Sequence, residues 1–216
     1  MDAYELDPVD VRVLGCLVEK QALTPDNYPL TRASLLAACN QSTSREPVMS
    51  LGEAELSASL DRLLARRLIG ERMPAGSRVA KYEHRLGYEW NVDGAKLAAL
   101  ALLMLRGAQT PAEIRARAGR IHTFASADVV ETALSALADK YPPLVVHLPR
   151  QAGEREARWA HLLCGEPVAE TAASAVPDAG CDAIVVGLTG RVAALEAEVA
   201  ALKARVAELE GALVRD

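Results

Sequence analysis

The sequence predicts a mainly α fold with small β-hairpins (α+β): two winged helix-turn-helix domains in tandem, followed by a C-terminal coiled-coil helix. Three observations carry the prediction. GSRVAKYEH, beginning at Gly76, and GEREARWAH, beginning at Gly153, both fit G-x-R-x-A-[KR]-[YW]-x-H, 77 positions apart. Each phrase closes a run of three helical patterns and an extended pair. Beyond residue 181 the apolar residues settle into steps of three and four. The expected organisation is residues 1–90 and 91–165 as the two winged-helix domains, 166–181 as an Ala/Pro-rich linker, and 182–216 as the coil.

The first helix is announced by LDPVD, where Asp7 caps, Pro8 fits the first helical position and Asp10 favours the positive end of the helix dipole. Val11, Leu14, Leu17 and Val18 supply its apolar stripe. Two X-Pro steps, Thr24-Pro25 and Tyr28-Pro29, then separate it from a second helix, Thr31 to about Asn40. After the polar stretch NQSTSREPVMS, Ser50 and Glu53 form an S-x-x-E box that opens a third helix with Leu56, Leu60, Leu63, Leu64 and Leu68 inward. Extended pieces near Ile69–Met73 and Val79–Arg85 complete the first unit.

The second half repeats this order. Asp93 caps a helix with Leu97, Leu100, Ala101 and Met104 inward, Thr110-Pro111-Ala112-Glu113 starts a short one, and Ser126 opens a third faced by Val130, Leu134, Leu137 and Tyr141. Leu144–Leu148 and Arg155–Leu163 give the second hairpin. LGCLVEKQALTP aligns with LALLMLRGAQTP at the first helices. In the repeated phrase, alternate positions share one strand face, so Ala80, Tyr82 and His84 match Ala157, Trp159 and His161 and are expected to pack on the third helix.

In the tail, Val192, Leu195, Val199, Leu202, Val206 and Leu209 form an a/d seam, with Val at a and Leu at d. A parallel pairing sets Arg191 against Glu196, Glu198 against Lys203 and Arg205 against Glu210, all attractive. The centred antiparallel pairing sets Arg191 against Arg205. A parallel homodimer is therefore expected.

Composition narrows the classes of function. No apolar run approaches the roughly 18 residues of a membrane span, and MDAYELDPVD has no basic n-region, so a cytoplasmic protein with no membrane partner is expected. Cys16, Cys39, Cys164 and Cys181 lack metal-type spacing and read as reduced thiols. No phosphate loop, HExxH, GxSxG or acid/base constellation is present, so the expectation is a non-enzymatic chain without cofactor or metal. The net charge is −5, yet residues 62–85 carry Arg62, Arg66, Arg67, Arg72, Arg78, Lys81 and Arg85 against only Glu71 and Glu83.

That basic stretch points to double-stranded DNA. The third helix would enter the major groove through Glu55, Ser57 and Ser59, Arg62 and Arg66 would reach phosphates, and the wing residues Arg78 and Lys81 would touch backbone or minor groove. Arg115, Arg117, Arg120, Arg155 and Arg158 are the second-half equivalents. The alternative is a protein-interaction adaptor, favoured by the acidic start of the third helix and docking a partner through Asn40, Gln41, Arg45 and Glu46.

EKQALTPDNYPLTRASLLAACNQSTSREPVM, with LRGAQTPAEIRARAGRIHTF and LPRQAGEREARWAHLL, resembles the YceH-like family of bacterial proteins over roughly residues 5–165. The resemblance implies tandem winged-helix domains and assigns no activity. The residues that match its signature are Cys39, Asn40, Gln41, Thr43, Ser44, Arg45, Glu46, Pro47 and Val48, with Ser42 where the family pattern has Lys. The segment between the second and third helices is longer than an ordinary helix-turn-helix turn.

Overall fold

The computed structural model describes residues 6–73, 76, 79–150 and 156–166. The expected coil seam and its dimer, and Arg78 and Arg155, lie outside these residues. Helix α1 (Pro8–Leu23) starts as expected, its cap Asp7 accepting from the amides of Val9 and Asp10 at 2.9 Å each. A 3-10 turn (Pro25–Asn27), strand β1 (Leu30–Thr31) and α2 (Arg32–Cys39) follow. Then come α3 (Glu53–Ala65), β2 (Ile69–Arg72), β3 (Lys81–His84) and a short α4 (Leu86–Glu89). The second half consists of α5 (Gly94–Arg106), α6 (Pro111–Ala118), α7 (Ala127–Ala138), β4 (Val145–His147) and β5 (Trp159–His161). The described residues thus form a mixed fold of seven α-helices with two small antiparallel sheets.

The repeat in sequence is a repeat in pairing. In the first sheet β3 lies between β1 and β2, with Leu30 opposite Tyr82 and Ile69 opposite His84. In the second, β4 pairs β5 with Val145 opposite His161, while Gln109 bridges Trp159 as Leu30 does Tyr82. Tyr82 and Trp159 are buried, as the alternation of the repeated phrase predicts.

Tyr141, expected on the inner face of the second half's third helix, is fully exposed, because α7 ends at Ala138. Two boundaries also differ from expectation. The third helix opens at Gly52 rather than Ser50, because the Asn40 side chain donates to the Leu51 carbonyl and accepts from its amide at 2.9 and 2.8 Å, holding Leu51 in the preceding loop. Glu55 then reaches back to the Gly52 amide at 2.8 Å. The aligned Thr-Pro steps also part company. Thr110 caps α6, but its counterpart is Thr31, which caps α2; Thr24-Pro25 begins an inserted 3-10 turn and β1.

Helices α1 and α5 are buried on every side rather than along one stripe. Residues Asp10 to Glu19 of α1 and Ala98 to Leu105 of α5 are consecutively buried, since each helix packs on its own half and on the other. Gly15 marks the closest approach: a Cβ there would lie 3.0 Å from Leu105 and 3.2 Å from Met104. Among the described residues a single hydrophobic core therefore runs from Leu6 to Leu163. At about 1.5–3 kcal/mol for each fully buried aliphatic side chain, this shared core is the main source of stability.

Candidate functional site

The first candidate surface is the loop from Asn40 to Leu51. Arg45 lies beneath it, 5% exposed. Its Nε donates to the Ala38 carbonyl (3.1 Å), Nη1 to the Ser44 carbonyl (2.8 Å) and Glu19 Oε1 (3.1 Å), and Nη2 to Glu19 Oε2 (2.7 Å) and Gln41 Oε1 (3.0 Å). Those five acceptors match the five N–H donors of a guanidinium. Gln41 also accepts from Lys20 at 3.3 Å.

Arg45, expected to face a partner, is instead buried, while Asn40 and Gln41 are half-buried beside it. They close the loop on itself and on α1, because a buried cation is stable only when its charge and donors are met. Burial alone would raise the Glu19 carboxyl, but the two-point contact with Arg45 and nearby Lys20 outweigh it and hold it below its ordinary range. Glu46 is different. Its amide donates to the Leu105 carbonyl at 2.8 Å while its side chain is exposed, next to Pro47 and the 59%-exposed Val48.

Arg12, which the sequence reading passed over, completes the fastening. Its guanidinium, 1% exposed, donates to the Cys39 carbonyl at 3.3 Å and the Pro47 carbonyl at 2.6 Å, near both ends of the loop. Cys16 and Cys39 are buried free thiols beside it. The signal for Arg12 and Glu19 was present in VDVRVLGCLVEK: apolar residues on all sides predict a fully buried helix, in which any charge needs an internal partner.

The second candidate surface is the set of basic residues proposed for DNA. Arg62 is bound to two carboxylates of α1, pairing with Asp7 and donating to Asp10 at 2.8 and 3.0 Å. Ser59, expected to be exposed, is wholly buried and donates to Asp10 at 2.6 Å. Asp10, expected as a dipole partner, is also the buried link between α1 and α3.

In the second half, Glu113 brings two predicted residues together. Arg158 lies 2.8 Å and Arg117 3.5 Å from its carboxylate, and Arg117 also donates to the wholly buried Gln109 at 3.0 Å. Arg115 donates to the Phe124 carbonyl at 3.5 Å, beside an open hollow of about 430 Å³ between α6 and α7. Lys81 is half-buried on β3, paired in register with Thr31 and Arg72, while Arg66 is exposed at the end of α3.

The outward residues of α3 are Glu53, Ala54, Glu55, Ala58 and Asp61, with Arg62 and Ala65 toward its end; those of α7 are Asp128, Val129, Thr132, Ser135 and Ala136. Neither set offers Asn, Gln or Lys, and the α3 arginine is the one already paired with Asp7 and Asp10.

Residues 6–154 match the family described as "Protein of unknown function, DUF480". The chain belongs to this family. It is 67% identical to the UPF0502 protein of Chromobacterium violaceum over 194 residues, which span 90% of this chain and 86% of that relative. The UPF0502 protein azo0627 of Azoarcus sp. (strain BH72) is 51% identical over 189 residues, spanning 88% and 81%. UPF0502 protein GSU0233 of Geobacter sulfurreducens is 48% identical over 189 residues, spanning 88% and 86%. This DUF480 family is the one that the YceH-like segments resemble. In this DUF480 chain, no described helix is long and apolar enough to cross a membrane.

Proposed function

We propose that this DUF480 chain is a non-enzymatic protein-interaction adaptor built on two winged-helix units, dimerised by a parallel coil through Val192, Leu195, Val199, Leu202, Val206 and Leu209. One observation carries the reading: the outward face of α3 presents Glu53, Ala54, Glu55, Ala58 and Asp61, while its Arg62 is already paired with Asp7 and Asp10. Three carboxylates there repel a phosphate backbone, and Ala offers no hydrogen bond to a base edge. A partner with a basic, partly apolar surface fits the same face.

The adaptor reading is tested by placing a photo-crosslinking amino acid at Ala58 in the full chain within cells. The expected result is one recurrent crosslinked protein, lost when Glu55→Lys and Asp61→Lys reverse the face. Crosslinks to DNA, or protein crosslinks indifferent to that reversal, contradict it.

DNA binding is the second reading. It is favoured by exposed Arg66, Arg67, Arg72 and Arg85 with half-buried Lys81, at the end of α3 and on its hairpin. On that reading the wing holds backbone phosphates and the third helix reads nothing.

A further inference from the structure

Helices α1, α5 and α6 end around one hollow of about 260 Å³, at Leu23, Arg106 and Ala118. Its apolar wall comes from Leu102 and Leu105, both almost fully buried, with Ile121 half-buried beside them. Three cations share the lining: Arg106, Arg117 and Arg120. Among the described residues the one carboxylate in the lining is Glu19, already held by Arg45 and Lys20.

The charge balance decides what such a hollow accepts. Each of three helix C-termini contributes about half a negative charge. The three guanidiniums outweigh them, and Arg117 shares Glu113 only at 3.5 Å and with Arg158. Burial, followed by the positive charges of Arg117 and Arg45, pushes Arg106 below its ordinary value, and Glu19 and Glu46 offset this only in part. Arg106 remains a cation. Its Nη2 donates to Ser44 Oγ at 2.7 Å, a neutral acceptor, so its charge is solvated here by a hydroxyl. A surplus of positive charge over an apolar wall, in a concave site, is the setting for an amphipathic anion.

We propose that this hollow binds a small organic acid, a single carboxylate or phosphoryl group on an apolar body. The acid group lies among Arg106, Arg117 and Arg120, and the body lies on Leu102, Leu105 and Ile121. Ser44 belongs to the loop and Arg106 to α5, so the occupant touches both halves of the molecule.

The test is methyl-resolved NMR of the full chain titrated with benzoate, and in parallel with phenyl phosphate. Saturable shifts at Leu102, Leu105 and Ile121, with a Kd of about 1 mM or tighter for either acid, are expected. The stronger of the two identifies the head group. Benzyl alcohol, which lacks the charge, and inorganic phosphate, which lacks the apolar body, bind about tenfold more weakly or worse. Arg120→Gln alters an exposed side chain and so spares the core; it weakens the acid about tenfold, and Arg106→Gln does the same. Absence of shifts at these methyls, shifts of equal affinity with benzyl alcohol, or binding unchanged in both variants would overturn the proposal.

Discussion

Arg45 and Glu19 meet in a two-point contact, at 3.1 and 2.7 Å, beneath the loop that joins α2 to α3. Both side chains are nearly sealed from solvent, at 0% and 7% exposure. The loop from Asn40 to Leu51 is thereby fastened to α1 from within. Its polar residues divide by direction: Asn40, Gln41 and Arg45 hold the loop, and Glu46 presents outward.

Removing one partner of that pair leaves the other charged and buried. Arg45→Ala or Glu19→Ala is expected to lower unfolding free energy by about 3–5 kcal/mol. Urea unfolding of both singles and the double measures it. The double loses much less than the sum of the singles, because each single already forfeits the contact.

Asp10→Ala removes the acceptor of buried Ser59 and the principal partner of Arg62, and is expected to cost about 2–3 kcal/mol. Arg62→Ala costs less, since that side chain is 42% exposed and solvent screens its charge. Denaturant midpoints rank the two variants; equal losses would contradict the placement of Asp10 as the buried link between α1 and α3.

His84 and His161 occupy equivalent positions of the repeat, and burial pushes each down to about 4. Gln21 Oε1 lies 2.7 Å from His84 Nε2 and can only accept, so Nε2 carries the proton and the buried Nδ1 is left bare. Protonating Nδ1 would bury an unanswered N–H. Between pH about 6.5 and 4 the unfolded chain therefore binds more protons than the folded one, and stability falls as pH falls. Each histidine contributes a slope of up to about 1.4 kcal/mol per pH unit there, and none above about 6.5. Chemical unfolding across this range, repeated with His84→Gln, gives the smaller slope in the variant.

Gly15→Val places a branched side chain where Leu105 and Met104 already stand. The expected loss is about 2–3 kcal/mol, because the two central helices must separate or distort. If the halves were held independently, the same substitution would be nearly neutral in thermal unfolding.

Local signals in the sequence were reliable where they involved neighbours. Asp7-Pro8, Thr110 with Glu113, Ser126 and the alternation ending at Tyr82 and Trp159 each settle on backbone geometry or a strand face, and the structure places them as read. What was not legible depends on distant residues. Arg62 resembles a phosphate contact until α1 brings Asp7 and Asp10 against it, 55 and 52 positions away. Arg45 resembles a loop residue until Glu19 lies beneath it. The inserted turn between α1 and α2 misled the alignment because Thr-Pro starts a helix in one half and a 3-10 turn in the other.

The proposed function rests on the third helix and its hairpin being poor ligands for a phosphate backbone. Fluorescence anisotropy of a mixed-sequence duplex, titrated with the full chain at roughly 50 and 200 mM salt, tests this most directly, with Lys81→Ala and Arg66→Ala as the comparison. The adaptor account predicts weak binding at the lower salt and no difference between the chain and the variant. Tight binding that weakens steeply with salt, and is lost in the variant, would contradict it and make the wing a DNA contact.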